Sequence, residues 1–224
     1  MSYNPSSMTL APGSDCKDAF RAAYENRYTW EPDFTGYQGK CICEEDGHVH
    51  KGKFKVGADF KAHVEGIENK SILKAISSQL WEVSIHRVQR SFDETHGQNT
   101  FTAGESDASG IEVIVGGKNA GDRYHIKNDV VSMVHRHFHG TLVTIWTECT
   151  TETGKGYLAN TYNSQYIDPL TEKPRSGISH FTDTFVPLED DGPWVLSRRI
   201  IQTDAHDETP ATNQVFKFVE MKLS

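Results

Sequence analysis

The chain has 224 residues, 24% of them charged, and a formal net charge of −8. This length suits one large β-rich domain that can bury a sizeable core. The acidic balance argues against nucleic acid as a partner, because a phosphate-binding surface needs a clustered excess of Lys and Arg. No apolar run is long enough to span a bilayer, so we expect no membrane insertion.

Residues 1–14 are polar and contain Pro5 and Pro12, which predicts a disordered lead before a single domain over residues 15–224. The lead has no apolar segment flanked by basic residues, so the sequence predicts no signal peptide. Four cysteines are few for this length, and they form no disulfide-rich pattern. The sequence therefore predicts a cytoplasmic protein.

Two helices are predicted. A Ser-Asp pair suits the cap of a first helix near residues 15–26. Apolar residues recur at helical spacing between Ile72 and Val83, which predicts a second helix over about residues 69–89.

Asp46-Gly47 separates two stretches that alternate apolar and polar residues, Tyr37–Cys43 and His48–Val56. An Asp-Gly pair in this position is the strongest short signal of a β-hairpin. The two-residue turn sets the register of the strands. It pairs Glu45 with His48, Cys43 with His50, Cys41 with Gly52, and Gly39 with Phe54.

Cys41, Cys43, His48 and His50 share one side of this predicted hairpin, and their residue types are those of zinc ligands. Their spacing differs from a standard zinc knuckle, in which the two cysteines lie on a turn. Cysteine is also a frequent small residue of protein cores. The four residues are therefore weak metal candidates, and the sequence predicts neither a metal nor a cofactor.

Nine further strands follow the second helix, separated by turn residues. They are predicted at residues 99–103, 111–115, 122–127, 130–137, 142–150, 156–167, 178–187, 195–203 and 214–223. Strands in consecutive hairpin order indicate a mainly β protein with a long up-and-down antiparallel sheet. Because so long a sheet curls or closes, we expect a half-barrel or barrel around the 69–89 helix, with a cavity for a ligand.

Three histidines stand at alternate positions in Val134-His135-Arg136-His137-Phe138-His139-Gly140. In an extended strand all three imidazoles point to the same side. Imidazole is the side chain best suited to move protons near neutral pH.

Gly140 leaves only two of the three histidines, His135 and His137, as candidates for one site. We expect His139-Gly140 in a tight turn, and strand geometry puts His135 and His139 about 13 Å apart, too far for one metal. The alternation that starts at Val131 and Met133 then predicts His135 and His137 as an inward pair at the polar end of a ligand pocket.

The end of the second helix and its exit loop concentrate titratable residues, among them His86, Arg87, Glu94 and His96. Arginines near the carboxyl end suit the helix dipole, so capping explains part of this cluster. A polar cluster at the end of an enclosed helix also lies where a barrel mouth opens. We therefore predict His96 or Glu94 as an acid or base there.

Five segments carry a family resemblance: Ala19–Trp30; His86–Val88 with Phe92 and Glu94–Gly97; Gly116–Lys118 with Gly121-Asp122; Val134–His137 with His139-Gly140; and Gly156–Leu158 with Ser164–Tyr166. There, and over nearly all of residues 16–224, the chain resembles a family of uncharacterised proteins, domain of unknown function 3386, found mainly in cyanobacteria and plastid-bearing organisms. The resemblance implies one domain, a photosynthetic lineage, and a fold related to lipoprotein-carrier half-barrels, which hold hydrophobic ligands. The family brings no agreed activity, so it assigns no catalytic residue.

Cys41-Ile42-Cys43 and the His48/His50 pair depart from that family. The departure suggests a specialised member that serves pigment assembly, as a cyclase of the scytonemin sunscreen pathway does.

Two functions from different classes are open. The first is a cofactor-free acid–base cyclase, lyase or isomerase acting on a hydrophobic or aromatic metabolite in cyanobacterial secondary metabolism. The density of histidines favours it, because a carrier gains nothing from buried imidazoles. Its predicted catalytic residues are His135, His137, His96, Glu94, His86 and Tyr124, and its predicted ligand contacts are Arg87, Arg198, Trp146, Tyr166 and Phe181.

The second function is a non-catalytic carrier of a lipid, pigment or isoprenoid. The absence of any known catalytic motif favours it. A metal-binding protein that uses the histidines and cysteines is a further alternative. The sequence leaves the oligomeric state open.

Overall fold

The computed structural model describes residues 14–138 and 140–224, in which one antiparallel sheet of twelve strands carries three helices. The helices are α1 (Ser14–Glu25), α2 (Lys70–Arg87) and α3 (Phe92–His96). The strands are β1 (Tyr37–Glu45), β2 (His48–Val56), β3 (Ala62–Glu65), β4 (Asn99–Asp107), β5 (Gly110–Gly117), β6 (Arg123–Lys127), β7 (Val130–Phe138), β8 (Thr141–Glu152), β9 (Tyr157–Ile167), β10 (Ser179–Pro187), β11 (Trp194–Thr203) and β12 (Thr212–Leu223).

The fold class predicted from the sequence is confirmed, with two elements added. The sequence pattern did not indicate β3 or α3, because both are short. Nearly all of the predicted disordered lead, and His139 with its predicted turn, fall outside the described residues. Among the described helices, none is long and apolar enough to cross a membrane.

The β1–β2 hairpin has the register that Asp46-Gly47 predicts: Glu45 pairs with His48, Cys43 with His50, Cys41 with Gly52, and Gly39 with Phe54. Both turn residues have positive φ, 48° at Asp46 and 76° at Gly47. Positive φ at both central positions is the geometry of the turn that best matches twisted hairpin strands.

Neighbouring strands follow the chain from β4 to β12, after which β12 pairs with β1. This pairing of the first and last strands leaves β3 and β4 as the two edges of the sheet. The segment between them contains α2 and α3.

The sheet curls around α2, whose buried side chains touch strands on both sides of it. This α2 core contains Ile72, Ile76, Leu80 and Val83 of α2, Cys41, Cys43, Phe54 and Val56 of β1 and β2, and Leu158, Phe185, Leu196, Ile201, Phe216 and Phe218 of β9–β12. Fully burying one such Leu, Ile or Phe side chain contributes roughly 1.5–3 kcal/mol. Burial therefore holds α2 in the curve of the sheet.

A second core lies under α1 and α3, which pack on β4–β7. We call it the aromatic core. Phe20 of α1 lies at its centre, with ring centroids 5.3 Å from Phe92, 4.9 Å from His96 and 4.4 Å from Tyr124. Val113, Val115, Ile126 and Val131 complete its floor.

The face of the sheet toward these helices is called the concave face, and the opposite one the convex face. Directly paired residues of an antiparallel sheet share a face. Among the described elements, α1 contacts β4–β7 and α2 contacts β1 and β3, whereas neither helix has comparable contacts with β8, β9 and β10. We call this part of the concave face, over β8–β10, the cleft.

Candidate functional site

A β-bulge at Ser132 decides which face carries the histidine run. On β7, Val131 pairs with Ile126, but the next pair joins Met133 to His125, which leaves Ser132 unpaired. The extra residue shifts the side-chain alternation by one position. Val131 lies in the aromatic core, and after the bulge it is Val134 and not Met133 that packs against that core.

His135 and His137 consequently lie on the convex face, contrary to the inward orientation that strict alternation predicts. Nδ1 of His135 lies 2.8 Å from Oγ1 of Thr144. Burial, with the nearby charge of Arg123, lowers the pKa of His135. The backbone N–H of His137 donates to Asp122, and the His137 side chain is 53% exposed.

A second bulge, at Ser197 of β11, exchanges the roles of two arginines. Phe185 pairs with Leu196, whereas Thr184 pairs with Arg198. Leu196 lies in the α2 core, so the bulge turns Arg198 to the convex face and Arg199 to the concave one. The sequence predicted Arg198 as a ligand contact in the pocket, whereas the bulge puts it on the opposite face of the sheet.

Arg199 forms a buried polar clamp between the sheet and α2. Its guanidinium donates to both carboxylate oxygens of Asp183, at 2.8 and 2.6 Å, and to Tyr162 at 2.8 Å. It also donates to Gln79 at 2.7 Å and Glu82 at 3.3 Å on α2. These five bonds use all the donors of an arginine, so Arg199 has none left for a ligand.

The last turn of α2 places His86 and Arg87 in the cleft. The His86 side chain keeps contact with solvent, yet burial by the surrounding protein and the charges of Arg87, Arg27, Arg199 and Arg136 lower its pKa to about 4. His86 shares a helical face with Gln79 and Glu82, the two α2 residues that bind Arg199. It is an exposed imidazole that a ligand in the cleft can reach.

Three of those arginines have no carboxylate partner among the described residues: Arg27, Arg87 and Arg136. Arg27 follows α1, Arg87 ends α2, and Arg136 lies on β7 opposite Val143 of β8. We call these three arginines with His86 the cationic cluster. Opposite charges normally accompany half-buried arginines such as Arg27 and Arg87, so this cluster is the unusual feature of the cleft.

Aromatic side chains form the floor beside the cationic cluster. The rings of Tyr162 and Phe181 stack with centroids 4.6 Å apart and an interplanar angle of 6°. Tyr166 lies on the same face of β9, opposite Val143, and is 47% exposed. Tyr166 and Phe181, predicted from the sequence as ligand contacts, thus both lie on the concave face.

Trp146, also predicted as a ligand contact, lies on the convex face, because it pairs with Met133 and Asn163. It is 38% exposed.

The aromatic core contains His96 and Tyr124, two of the predicted acids or bases. Burial lowers the pKa of His96 to about 4 and raises the pKa of Tyr124 to about 12. Glu94 completes a capping box, since its carboxylate accepts from the backbone N–H of Ser91 at 2.8 Å. These three residues have structural contacts and stand apart from His86.

Cys41 and Cys43 are fully buried in the α2 core, and burial raises the pKa of Cys43 to about 11. His50 pairs with Cys43, but no group of three or more His, Cys, Asp or Glu residues with the placement of a metal site occurs in the described parts of the chain. A depression of about 360 Å³ lies beside His50, between β2 and the start of α2. It is open to solvent and is lined by no Phe, Tyr or Trp side chain, so we place the candidate site in the cleft.

The sequence indicated His86, Arg87, Tyr166 and Phe181 but missed Arg27, Arg136 and Arg199. Arg27 and Arg136 lie in two of the segments that carry the family resemblance, but nothing in those segments marked either arginine as a ligand contact. No local signal links them, because they approach His86 from different elements.

The family comparison agrees with the resemblance noted in the sequence. The family model described as "Protein of unknown function (DUF3386)" matches residues 11–223. The chain belongs to DUF3386. No curated protein matches this DUF3386 chain.

Two solved structures resemble the DUF3386 protein remotely. A LolA superfamily protein from Nitrosomonas europaea has 9% identity and a TM-score of 0.34, with 96% of this chain and 94% of that one covered. A DUF1329 family protein from Desulfovibrio piger has 8% identity and a TM-score of 0.28, with 93% and 92% covered. At these values neither match bears on ligand or activity.

Proposed function

We propose that this DUF3386 protein binds a small apolar or aromatic molecule in the cleft and carries it without transforming it. A lipid, a pigment or an isoprenoid has the required chemistry. The observation that carries the proposal is the floor of the cleft, where aromatic side chains stay accessible on the concave face of a curled sheet.

The floor combines rigidity with apolar surface. The Tyr162–Phe181 stack is held by the hydrogen bond from Arg199 to the Tyr162 hydroxyl. Tyr166 leaves about half of its surface uncovered. Accessible aromatics within a concavity favour a ligand over simple core packing.

The acid–base alternative has less support, because its predicted residues occupy four separate places. His135 and His137 lie on the convex face, His96 and Tyr124 lie in the aromatic core, Glu94 caps α3, and His86 alone among the six lies in the cleft. Proton transfer needs an acid or base within hydrogen-bond reach of the same substrate. A cyclase of cyanobacterial metabolism, and a cytoplasmic location, stay predictions from the sequence.

The test uses Nile red, a neutral dye whose fluorescence rises in apolar surroundings. We expect saturable binding to the full-length protein, and Tyr166→Ser should weaken it by about tenfold, since losing a buried aromatic contact costs on the order of 1–2 kcal/mol. Native mass spectrometry of the purified protein should also show a co-purifying small molecule.

Trp146→Ser is the matched control, because it removes an exposed aromatic residue from the convex face. It should leave the dye affinity unchanged. Absence of saturable dye binding in the wild type, or equal losses in both variants, would contradict the proposed cleft.

A further inference from the structure

We propose that the cleft selects ligands with an oxyanion head group, a carboxylate or a phosphate, and that Arg27, Arg87 and Arg136 bind that group. The inference rests on the proposed function and names the chemistry of one end of the ligand. Three guanidinium groups that have no carboxylate partner within the described residues and whose charges all act on His86 point to it.

Arg87 is the most deeply placed of the three. Its Nη1 donates to the carbonyl oxygen of Tyr28 at 3.1 Å, whereas its buried Nε has no hydrogen-bond partner. Burial and the neighbouring charge of Arg27 lower its pKa to about 10. A buried cation with an unmet donor is destabilising on its own, and an anion bound beside it offsets both costs.

The contacts of Arg27 fix the orientation of its guanidinium group. Its Nε donates to the carbonyl oxygen of Tyr24 at 2.8 Å, and its guanidinium carbon lies 3.8 Å from the centroid of the Tyr24 ring. These contacts orient the planar group without neutralising it. A preorganised guanidinium loses little side-chain entropy when it pairs with a carboxylate or a phosphate.

Arg136 approaches from the sheet. Its position opposite Val143, which in turn pairs with Tyr166, places it at the margin of the aromatic floor. It is exposed and has no ion pair within residues 14–138 and 140–224. It therefore lies where the apolar part and the charged part of one amphipathic molecule would meet.

Arg199 differs from the arginines of the cationic cluster because carboxylates neutralise its charge. Asp183 and Glu82 both bind Arg199. The three arginines of the cationic cluster have no such partner in the part of the chain that the structure describes, and their net positive charge attracts anions. Guanidinium groups bind carboxylate and phosphate through paired hydrogen bonds.

The experiment compares palmitate, hexadecyl phosphate and hexadecanol, which share an alkyl chain and differ in the head group. The affinity of each ligand for the full-length protein is measured by its displacement of Nile red or by calorimetric titration. We expect at least one anion to bind about tenfold or more tightly than the alcohol, because a charge-assisted hydrogen bond contributes more than a neutral one. Only the anion affinity should fall as KCl rises.

Arg136→Met is the primary variant, because its exposed side chain makes it the least disruptive to folding. It should reduce the preference for the anion several-fold and leave hexadecanol affinity unchanged, and Arg27→Met should do the same. Arg123→Met is the control, since Arg123 is an exposed arginine of the convex face, 3.6 Å from Glu112.

The outcomes separate the two proposals. If none of the three ligands binds, the proposed function fails. If acid, phosphate and alcohol bind equally well, the protein holds apolar molecules but the oxyanion inference is wrong. A preference for palmitate or for hexadecyl phosphate supports the inference and tells which oxyanion it is.

Discussion

His86 in the cleft and His96 in the aromatic core have the same pKa, about 4, because burial and the charges of nearby arginines act on both. Aromatic rings enclose His96: the ring centroids of Phe20, Tyr24 and Phe92 lie 4.9, 5.2 and 5.1 Å from that of His96. His86 instead remains accessible to solvent. A shifted pKa therefore marks a candidate site only where solvent or a ligand can reach the group.

The two regions also differ in how they hold their helix. α1 and α3 are held by apolar packing and by an exposed ion pair between Arg21 and Asp93 at 2.6 Å, whereas α2 is held by the buried charged clamp around Arg199. A buried ion pair is costly to break, because the remaining charge has no partner. The largest expected effect therefore lies at this clamp.

Asp183→Ala should destabilise the protein by roughly 3–5 kcal/mol, since it leaves the Arg199 guanidinium, 2% exposed, without its main carboxylate. Urea unfolding followed by circular dichroism measures it. Asp204→Ala is the control, because Asp204 pairs with exposed His180, and its cost should stay below about 1 kcal/mol.

Combining Asp183→Leu with Arg199→Leu should recover much of that stability, because no buried charge remains. A loss as large as in Asp183→Ala would instead mean that the clamp itself, and not the unpaired charge, decides the stability of this region.

An intermediate effect is expected at His96, through pH. Its pKa is lowered from 6.5 to about 4, so its contribution to stability is complete above pH 6.5. Between pH 6.5 and 4 the unfolded chain takes up a proton that the folded protein does not, and stability is lost. His96→Phe removes this linkage, so unfolding in that pH window should become less steep than in the wild type.

His86→Gln is a second test of the same linkage, because burial and arginine charges lower the pKa of His86 to about 4 as well. The accessible position of His86 should make the substitution mild at pH 7, whereas His96→Phe alters a packed core. An acid-unfolding profile of His96→Phe identical to the wild type would show that His96 is not kept neutral by folding.

The smallest effect is expected on the convex face. His137→Ala should change the free energy of unfolding by less than about 0.5 kcal/mol, since its side chain is 53% exposed. Nile red affinity should also be unchanged. A clear loss of ligand binding would support the predicted role of His137 in a ligand pocket. It would also contradict the view that the concave face alone binds the ligand.

Much of this molecule was predictable from the sequence. The Asp46-Gly47 pair determined the register of the first hairpin, because only one turn geometry joins those strands across two residues. Alternating and helical hydrophobic periods located both long helices and eleven of the twelve strands. The polar end of α2 also pointed to His86 and Arg87.

Tertiary structure alone decided where the site faces. Bulges at Ser132 and Ser197 invert the alternation of β7 and β11, and nothing local distinguishes either serine from a regular strand residue. Each bulge moves a predicted residue to the convex face, and the pairing of β12 with β1 closes the curve of the sheet around α2. The cationic cluster then forms from a loop, a helix end and a strand, whose meeting depends on packing between segments far apart in the chain.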